Sequence, residues 1–232
     1  RMDATAVEDF FTYGYIPDPK TILEGLHKLP AGHTLTIVRG QQARAKPVQY
    51  WDVPIGTTRR GSDGELASEL IERLRDAVSS HMISEVPLGA FLSGGVDSSS
   101  VVAMMAGESQ EPVTTCAISF NEAGFDESKY ALDVATRYRT RHQVERVDSD
   151  DFDLIDVLPS LYDEPFADSS ALPTYRVCQL ARKHVTVALS GDGGDETLAG
   201  YRRYRWHKYE EGLRGALPLG FRKGFFGAQE AL

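Results

Sequence analysis

The sequence predicts an α/β fold in which helices cover both faces of a parallel, twisted sheet. Two observations support this class. Short apolar runs alternate along the chain with segments of helical periodicity, and this order favours parallel strands joined by crossover helices. Glycine-rich loops also follow two of the apolar runs, at the strand ends where parallel sheets bind their ligands.

The first part of the chain is rich in turn signals and shows no complete domain. Prolines punctuate residues 1–60, and one alternating stretch, Thr34–Val38, predicts a short strand. A polar linker follows at residues 57–64. Ser62 and Glu65 then have the spacing of a capping box, and apolar residues recur at helical spacing, so a helix is expected over about 64–82.

Strands and helices alternate in the remainder of the chain. Strands are predicted at Leu88–Leu92, Thr114–Phe120, Val144–Val147 and Val185–Leu189. Helices are predicted near 98–106, 127–138 and 172–184, the last with Pro173 in its first turn. The loops after Leu92, Phe120 and Leu189 are therefore the places where a ligand site is expected.

Composition excludes several classes of protein. The 232 residues are 41% hydrophobic, enough to bury one large domain or one domain with part of another. A net charge of −9 disfavours broad binding to nucleic acid or anionic membranes. No signal peptide or membrane-length apolar run occurs, which predicts a cytoplasmic protein. Cys116 and Cys178 lie far apart in apolar surroundings and are expected to be buried thiols.

The first unusual loop is "LSGGVDSS", residues 92–99. Adjacent glycines let the main chain approach a ligand, and the following helix start offers unpaired N–H groups to a phosphate. The common P-loop spacing and its lysine are absent. Asp97 would repel a phosphate unless a cation lay between them, and Mg²⁺ commonly joins carboxylates to phosphates. The alternative is an ordinary glycine turn capped by Asp97 or Ser98.

The second loop, "SGDGGDE" at residues 190–196, repeats this design. Two glycines follow the strand end, and Asp192, Asp195 and Glu196 lead into a helix. Alone, such a loop is also compatible with a plain turn or a calcium site. Two carboxylate-bearing glycine loops at neighbouring strand ends predict a two-sided site for metal and pyrophosphate.

These loops resemble those of a known family. "LSGGVDSS" is similar to the pyrophosphate loop of the ATP-pyrophosphatase group, and with "SGDGGDE" the chain resembles the glutamine-dependent asparagine synthetases. Further similar stretches are "DEPFADSSALPTY" at 163–175, "FDESKYALDVA" at 125–135 and "YGYIPDPKTILEGLHKLPAGHTL" at 13–35. The resemblance implies an adenine nucleotide alpha hydrolase-like fold. It assigns residues 61–232 to a synthetase domain truncated at its C-terminus, and residues 1–60 to the end of an α+β, Ntn-type glutaminase domain with its linker.

The resemblance also implies a reaction. ATP would activate the side-chain carboxylate of aspartate as an acyl-adenylate, pyrophosphate would leave, and ammonia from glutamine would displace AMP. The implied partners are these small molecules, the glutaminase domain of the same full-length chain and, as one assembly, a homodimer, with neither nucleic acid nor membrane. Two alternatives stay open: an amidotransferase acting on another carboxylate, and a non-catalytic nucleotide-binding module.

Site residues follow position by position from the resemblance. Pyrophosphate would be bound by Ser93, Gly94, Gly95, Asp97 and Ser98, and Mg²⁺ by Asp97 and Asp195. Adenosine would be bordered by Phe91, Ile118, Ser190 and Gly191. Asp192 would be the catalytic acid, although the family usually has glutamate there. Neither cysteine corresponds to the N-terminal glutaminase nucleophile, and a later lysine has no counterpart. We therefore expect a fragment that binds ATP without glutaminase activity or efficient synthetase turnover.

Three further features have competing interpretations. Asp126 and Glu127 are either acids near the ligand or residues favoured by a helix N-terminus. "YRRYRWHKY" at 201–209 could contact nucleic acid, but in an acidic chain a helix with an aromatic inner face and a basic outer face is favoured. The six histidines share no short spacing, which disfavours a histidine metal cluster.

Overall fold

The computed structural model describes residues 1–41, 45–54, 56, 59–121, 126–147, 154 and 156–216. Its helices are α1 (Ala4–Tyr13), α2 (Asp63–His81), α3 (Val96–Glu108), α4 (Ser128–Tyr138), α5 (Ala171–Arg182), α6 (Gly194–Leu198) and α7 (Arg202–Ala216). Its strands are β1 (His33–Thr34), β2 (Val48–Gln49), β3 (Leu88–Phe91), β4 (Thr114–Phe120), β5 (Arg141–Val147) and β6 (Val187–Leu189). Among these helices, none combines the length and hydropathy that crossing a bilayer requires.

Four strands form one parallel sheet in the order β5-β4-β3-β6. The predicted parallel sheet is therefore confirmed. Strands β4 and β5 lie on one side of β3, whereas β6, the last in sequence, pairs with the other side. The direction of the chain across the sheet thus reverses between β3 and β6. In open α/β sheets, the ligand crevice lies at such a reversal, outside the carboxyl ends of the strands.

Helices pack on both faces of the sheet, as predicted. On one face, Ala117 of β4 belongs to a core with Val102 of α3, which is fully buried. On the other face, the neighbouring Cys116 belongs to a core with Leu180 and Ala181 of α5. Successive residues of a strand point to opposite faces, so one strand serves both cores. This burial on both faces fixes the ends of β3 and β4, from which the loops after Leu92 and Phe120 begin.

The predicted capping box at the start of α2 is confirmed. The hydroxyl of Ser62 accepts a hydrogen bond from the Glu65 N–H at 3.4 Å, and the Glu65 carboxylate accepts one from the Ser62 N–H at 2.9 Å. These bonds satisfy two donors that a helix start leaves unpaired. Pro173 likewise lies in the first turn of α5, as expected.

Two predicted strand boundaries are wrong. β5 begins at Arg141 instead of Val144 and pairs with β4 along its whole length. Its first residues are polar, so a search for apolar runs misses them although their main chain pairs fully. β6 begins at Val187 instead of Val185. The Val185 N–H donates to the Ala181 carbonyl at 2.8 Å, so Val185 lies in the turn that follows α5 and not in the strand.

Helix α1 was not predicted, and the strand predicted over Thr34–Val38 is mostly wrong. The Asp3 carboxylate caps α1 by accepting from the Thr5 N–H at 2.8 Å, and Gly14, with φ of 79°, ends the helix. Both are ordinary helix boundary signals. The strand predicted over Thr34–Val38 stops at Thr34 and pairs only with β2. Ile37 is 62% exposed, because no neighbouring element among the described residues covers it.

The N-terminal segment contacts the stretch that precedes α5. The Ala167 N–H donates to the Gly14 carbonyl at 2.8 Å. Lys28 forms an ion pair with Glu164, and its ammonium also donates to the Ile16 carbonyl at 2.5 Å. These contacts join residues from the two sides of the boundary expected near residue 60.

Two expectations about burial are also wrong. Cys116 is buried, and burial raises the pKa of its thiol, but Cys178 is exposed because it lies on the solvent side of α5, away from Leu180. In α7, Trp206 is 73% exposed and Tyr209 is 68% exposed. The helix is present, but its aromatic face is not an inner face in the part of the chain that the structure describes.

Candidate functional site

The candidate site lies where the loops after β3 and β6 meet. These strands are neighbours, with Leu88 paired to Val187 and Ala90 to Leu189. Parallel strands end at the same edge of the sheet, so the loops that begin at Ser93 and Ser190 lie side by side. They flank the point at which the strand order reverses.

Hydroxyl groups hold the first loop in its shape. The Oγ atoms of Ser93 and Ser98 are 3.0 Å apart, and the Ser93 N–H donates to the Ser98 hydroxyl at 3.3 Å. The Gly95 N–H donates to the Ser93 hydroxyl at 3.2 Å, and the Ser98 hydroxyl donates to the Gly95 carbonyl at 3.3 Å. Ser98 is buried, so hydrogen bonds from the loop's own side chains hold the loop in place.

Gly94 is required by packing as well as by backbone conformation. Its φ of 84° lies in the left-handed region, which side chains other than glycine rarely adopt. A Cβ atom there would lie 2.5 Å from the Tyr130 Cβ and 2.6 Å from the Ala131 main-chain nitrogen. The loop therefore rests directly on the first turn of α4.

The start of α3 offers free donors to an anion. Gly95 is its N-cap residue and provides no side-chain capping bond. The first N–H groups of a helix lack acceptors within the helix, and the N-terminus carries partial positive charge. Asp97 lies in this first turn. Anion-binding donors and one carboxylate are thus adjacent, the arrangement that the sequence indicated.

The second loop packs tightly against Asp97. A Cβ atom on Gly191 would lie 2.6 Å from the Ser98 main-chain nitrogen and 3.0 Å from the Asp97 Cβ. A Cβ atom on Gly194 would collide with the Asp97 carboxylate group. The two glycines therefore let one loop approach the other, and they place the Asp97 carboxylate between the loops.

Acidic side chains surround the end of the second loop. The Asp192 N–H donates to the Ser190 hydroxyl at 3.1 Å, while the Asp192 side chain is exposed. The Tyr201 hydroxyl donates to the Glu196 carboxylate at 2.5 Å. This bond raises the pKa of Tyr201 to about 12 and holds the pKa of Glu196 below its usual value. Tyr201 therefore stays protonated as a donor, and Glu196 stays ionised.

Two adjoining cavities open above these loops. The polar cavity, of about 530 Å³, is lined by Phe91, Ser93, Gly95, Asp97, Ser98, Thr174, Val177, Ser190, Gly191, Asp192, Gly193, Asp195, Glu196 and Tyr201. The mainly apolar cavity, of about 260 Å³, is lined by Phe91, Leu92, Ser93, Cys116, Ala117, Ile118, Phe120, Glu127, Ser128, Ala131, Pro173, Thr174 and Val177. The shared lining residues show that the cavities are neighbours. A polar space beside an apolar space is suited to a nucleotide, with its phosphates in one and its base in the other.

The structure brings almost all of the candidate residues to these cavities. Phe91 and Ser93 line both, and Ile118 lines the apolar one. The candidates that line the polar one alone are Gly95, Asp97, Ser98, Ser190, Gly191, Asp192 and Asp195. Gly94 lines neither, because it faces α4.

Sequence reasoning missed several lining residues. Thr174 and Val177 of α5 border both cavities, and Tyr201 borders the polar one. Thr174 belongs to the similar stretch at 163–175, but no residue type or spacing marks Thr174 or Val177 as a site residue, because the packing of α5 over the sheet brings them to the cavities. For the Asp126-Glu127 pair the structure distinguishes the two acids. Glu127 lines the apolar cavity, whereas the Asp126 carboxylate accepts from the Ser128 N–H and hydroxyl, which lowers the Asp126 pKa.

The donor set fits a magnesium ion that is shared with phosphate. Asp97 and Asp195 border the same cavity, and within the described residues no hydrogen bond or ion pair engages either carboxylate. Carboxylate oxygens are ligands that Mg²⁺ prefers. Across the described part of the chain, no group of three or more His, Cys, Asp or Glu side chains is placed to hold a metal ion. A bound Mg²⁺ would therefore need further ligands from phosphate or water.

A parallel sheet with a glycine-rich loop and a helix N-terminus at the point where the strand order reverses is typical of an α/β nucleotide-binding domain. The family can then be stated: residues 69–230 match the model of the asparagine synthase family, and the chain belongs to that family. The resemblance stated from the two loops is confirmed.

Curated relatives agree with this family. The chain is 41% identical over 203 residues to the putative asparagine synthetase [glutamine-hydrolyzing] 2 of Methanocaldococcus jannaschii, covering 87% of this chain and 39% of that protein. It is 32% identical over 216 residues to asparagine synthetase [glutamine-hydrolyzing] 1 of Bacillus subtilis, covering 88% of this chain and 32% of that protein. The chain thus spans 39% and 32% of the length of these two relatives. Among solved structures, the NH3-dependent NAD synthetase of Campylobacter jejuni aligns over 58% of this chain and 60% of its own, with a TM-score of 0.41 and 14% identity.

Proposed function

We propose that this chain supplies the ATP-dependent step of a glutamine-hydrolysing asparagine synthetase. The observation that carries the proposal is the polar cavity, which both glycine loops border and which adjoins an apolar cavity at the strand ends. In this proposal, residues 61–232 belong to a synthetase domain, and residues 1–60 belong to a glutaminase domain and its linker.

The reaction proceeds by two substitutions. An oxygen of the acceptor carboxylate attacks the α-phosphorus of ATP, and the bond from that phosphorus to the oxygen bridging to the β-phosphate breaks. Pyrophosphate leaves with the electron pair of that bond. Ammonia then attacks the acyl carbon and loses a proton, and AMP leaves with the carbon–oxygen electron pair. The products are the amide, AMP and pyrophosphate.

The first loop would bind the departing pyrophosphate. The hydroxyls of Ser93 and Ser98 and the N–H groups at the start of α3 form a fixed set of donors. Because these groups are held in place before the reaction, they stabilise developing phosphate charge without reorganising. Gly94 contributes the turn itself and Gly95 the close approach of the main chain.

Asp97 and Asp195 would hold Mg²⁺ together with phosphate oxygens. When bound, the ion neutralises phosphate charge and so favours departure of pyrophosphate. The role of this chain would be to keep the two carboxylates at one cavity; both line it, and the close approach of Gly191 and Gly194 to Asp97 supports this role.

Adenosine would occupy the apolar cavity. Phe91 and Ile118 cover the base there, and Ser190 and Gly191 border the nucleotide from the polar side. Apolar cover with a few main-chain donors is sufficient to hold a purine.

Asp192 would lie beside the acceptor carboxylate during adenylate formation. It lines the polar cavity, is exposed, and has its main chain fixed by the Ser190 hydroxyl. The acceptor is aspartate or another carboxylate, and ammonia comes from glutamine hydrolysed by the glutaminase domain of the same full-length protein. We place the protein in the cytoplasm and propose a homodimer as its assembly.

Isothermal titration with ATP tests the proposal. Wild-type chain should bind ATP at least about tenfold more tightly with Mg²⁺ than without it, since the ion screens two carboxylates from phosphate. Asp97→Asn and Asp195→Asn should reduce this magnesium effect. Asp133→Asn, an exposed residue of α4 outside the lining of both cavities, is the matched control. Magnesium-independent binding, or no binding, would refute the proposed site.

Product analysis tests the reaction itself. We expect inefficient turnover by this chain, so with Mg²⁺, ATP, ammonia and aspartate any AMP and pyrophosphate should form slowly and in amounts equal to the amide, and rapid pyrophosphate release would contradict that expectation. Release of ADP and phosphate would contradict the adenylate route. Replacing aspartate with other carboxylates then identifies the acceptor.

A further inference from the structure

The polar cavity has a charge imbalance that its lining does not resolve. Its charged lining residues are all acidic: Asp97, Asp192, Asp195 and Glu196. Lys, Arg and His are absent from this described lining. A triphosphate adds further negative charge, and one Mg²⁺ cannot offset both. A further cation near the cavity, beyond the donors at the start of α3, would therefore favour binding.

Tyr201 supplies a rigid surface at the edge of this cavity. Its hydroxyl is fixed by the Glu196 carboxylate, and its ring lies where α6 gives way to α7. The ring is half-buried and lines the cavity. A group that stacks on this ring is thereby held next to the cavity.

Arg203 stacks on that ring. Its guanidinium carbon lies 4.3 Å from the centre of the Tyr201 ring and 5.7 Å from that of Tyr204. Stacking on aromatic rings orients a guanidinium and leaves the N–H groups at its edge available. Within the described chain, Arg203 forms no ion pair within contact distance of a carboxylate, although its charge, after the Tyr201 hydrogen bond, helps to lower the pKa of Glu196. Its donors are thus unused.

We propose that Arg203 is a phosphate-binding residue, which contacts the β- and γ-phosphates of ATP and stays with the pyrophosphate that leaves. This inference rests on the proposed function and adds a residue to it. Guanidinium groups bind phosphate through paired hydrogen bonds, and stacking on a ring that lines the cavity holds the Arg203 guanidinium beside it while the N–H groups at its edge stay available. Tyr201 is then the positioning residue for Arg203.

The test compares ligands with and without terminal phosphates. Affinities of the chain for MgATP, magnesium pyrophosphate and AMP are measured by titration calorimetry. Arg203→Ala should weaken binding of MgATP and pyrophosphate by about tenfold, the loss typical of one charge-assisted contact, and leave AMP binding unchanged. Arg203→Lys should restore part of the loss, because it keeps the charge without the paired geometry. Arg202→Ala, at an exposed neighbouring arginine, is the matched control and should behave as wild type.

Tyr201 variants separate a positioning role from general packing. Tyr201→Phe keeps the ring and should retain most of the pyrophosphate affinity, whereas Tyr201→Leu removes the surface on which Arg203 stacks and should lose nearly as much as Arg203→Ala. If Arg203→Ala binds MgATP as tightly as wild type, or weakens ATP and AMP equally, the inference is wrong while the proposed function survives. If wild type binds neither ATP nor pyrophosphate, the proposed function itself fails.

Discussion

Adding one methyl group at Gly191 tests whether the two loops must touch. The φ of Gly191 lies outside the left-handed region, so alanine is compatible with its backbone. The new Cβ would lie 2.6 Å from the Ser98 nitrogen, whereas ordinary contacts begin at 3.4 Å, so the loops must separate by about 0.8 Å. Preorganised sites tolerate about 0.5 Å. Overpacking of this kind costs about 1–3 kcal/mol.

We therefore expect Gly191→Ala to weaken MgATP binding by about tenfold or more, because 1.4 kcal/mol corresponds to a factor of ten. Titration calorimetry measures the affinity, and urea denaturation measures the free energy of unfolding. The control is Gly107→Ala in α3, where a Cβ meets nothing within 4 Å, and which should stabilise the helix by about 0.5–1 kcal/mol. Unchanged MgATP affinity in a folded Gly191→Ala chain would refute the close apposition of the loops.

Three other predictions concern stability, measured by urea denaturation. Ser62→Ala removes the cap of α2 and should lower the free energy of unfolding by about 1 kcal/mol; an unchanged midpoint would contradict the capping box. Gly94→Ala puts a side chain at a left-handed φ and makes its Cβ collide with α4, so it should lower the free energy of unfolding by more than about 2 kcal/mol. A decrease below about 1 kcal/mol would count against the packing described. Burial lowers the pKa of His142 below 6.5, so the unfolded chain binds more protons and stability should fall as the pH drops through 6.5. His142→Gln should flatten this dependence between about pH 7.5 and about pH 5.5, and an equal slope in both proteins would exclude His142 as its source.

Much of the fold was predictable because local patterns carry it. Apolar runs and helical spacing located the sheet and its helices, and the capping box of Ser62 and Glu65 marked the start of α2. The failures have local causes as well. The first residues of β5 are polar, so no apolar run marks them although they pair with β4. The ends of α1 are marked by single residues, Asp3 and Gly14.

Most candidate site residues could also be selected from the sequence. Few kinds of site place glycines and then acids directly after a strand, so the sequence alone made Asp97 and Asp195 candidate site residues. Thr174 and Tyr201 could not be selected in this way. Thr174 lies in the similar stretch at 163–175 and Tyr201 begins the stretch at 201–209, but nothing in either stretch marks these two as site residues, and they reach the cavities because α5 and the start of α7 pack beside the loops.

The sequence by itself determined that two glycine-rich, acidic loops each follow a strand, since strand, turn and helix start are properties of short segments. Tertiary structure alone decided that the loops face one space. They are almost a hundred residues apart, and they meet because β6 pairs with β3 instead of extending the sheet beyond β5. Strand order arises from the packing of helices on both faces, which no short segment encodes. The same packing turned Gly94 toward α4 and set Arg203 on the Tyr201 ring.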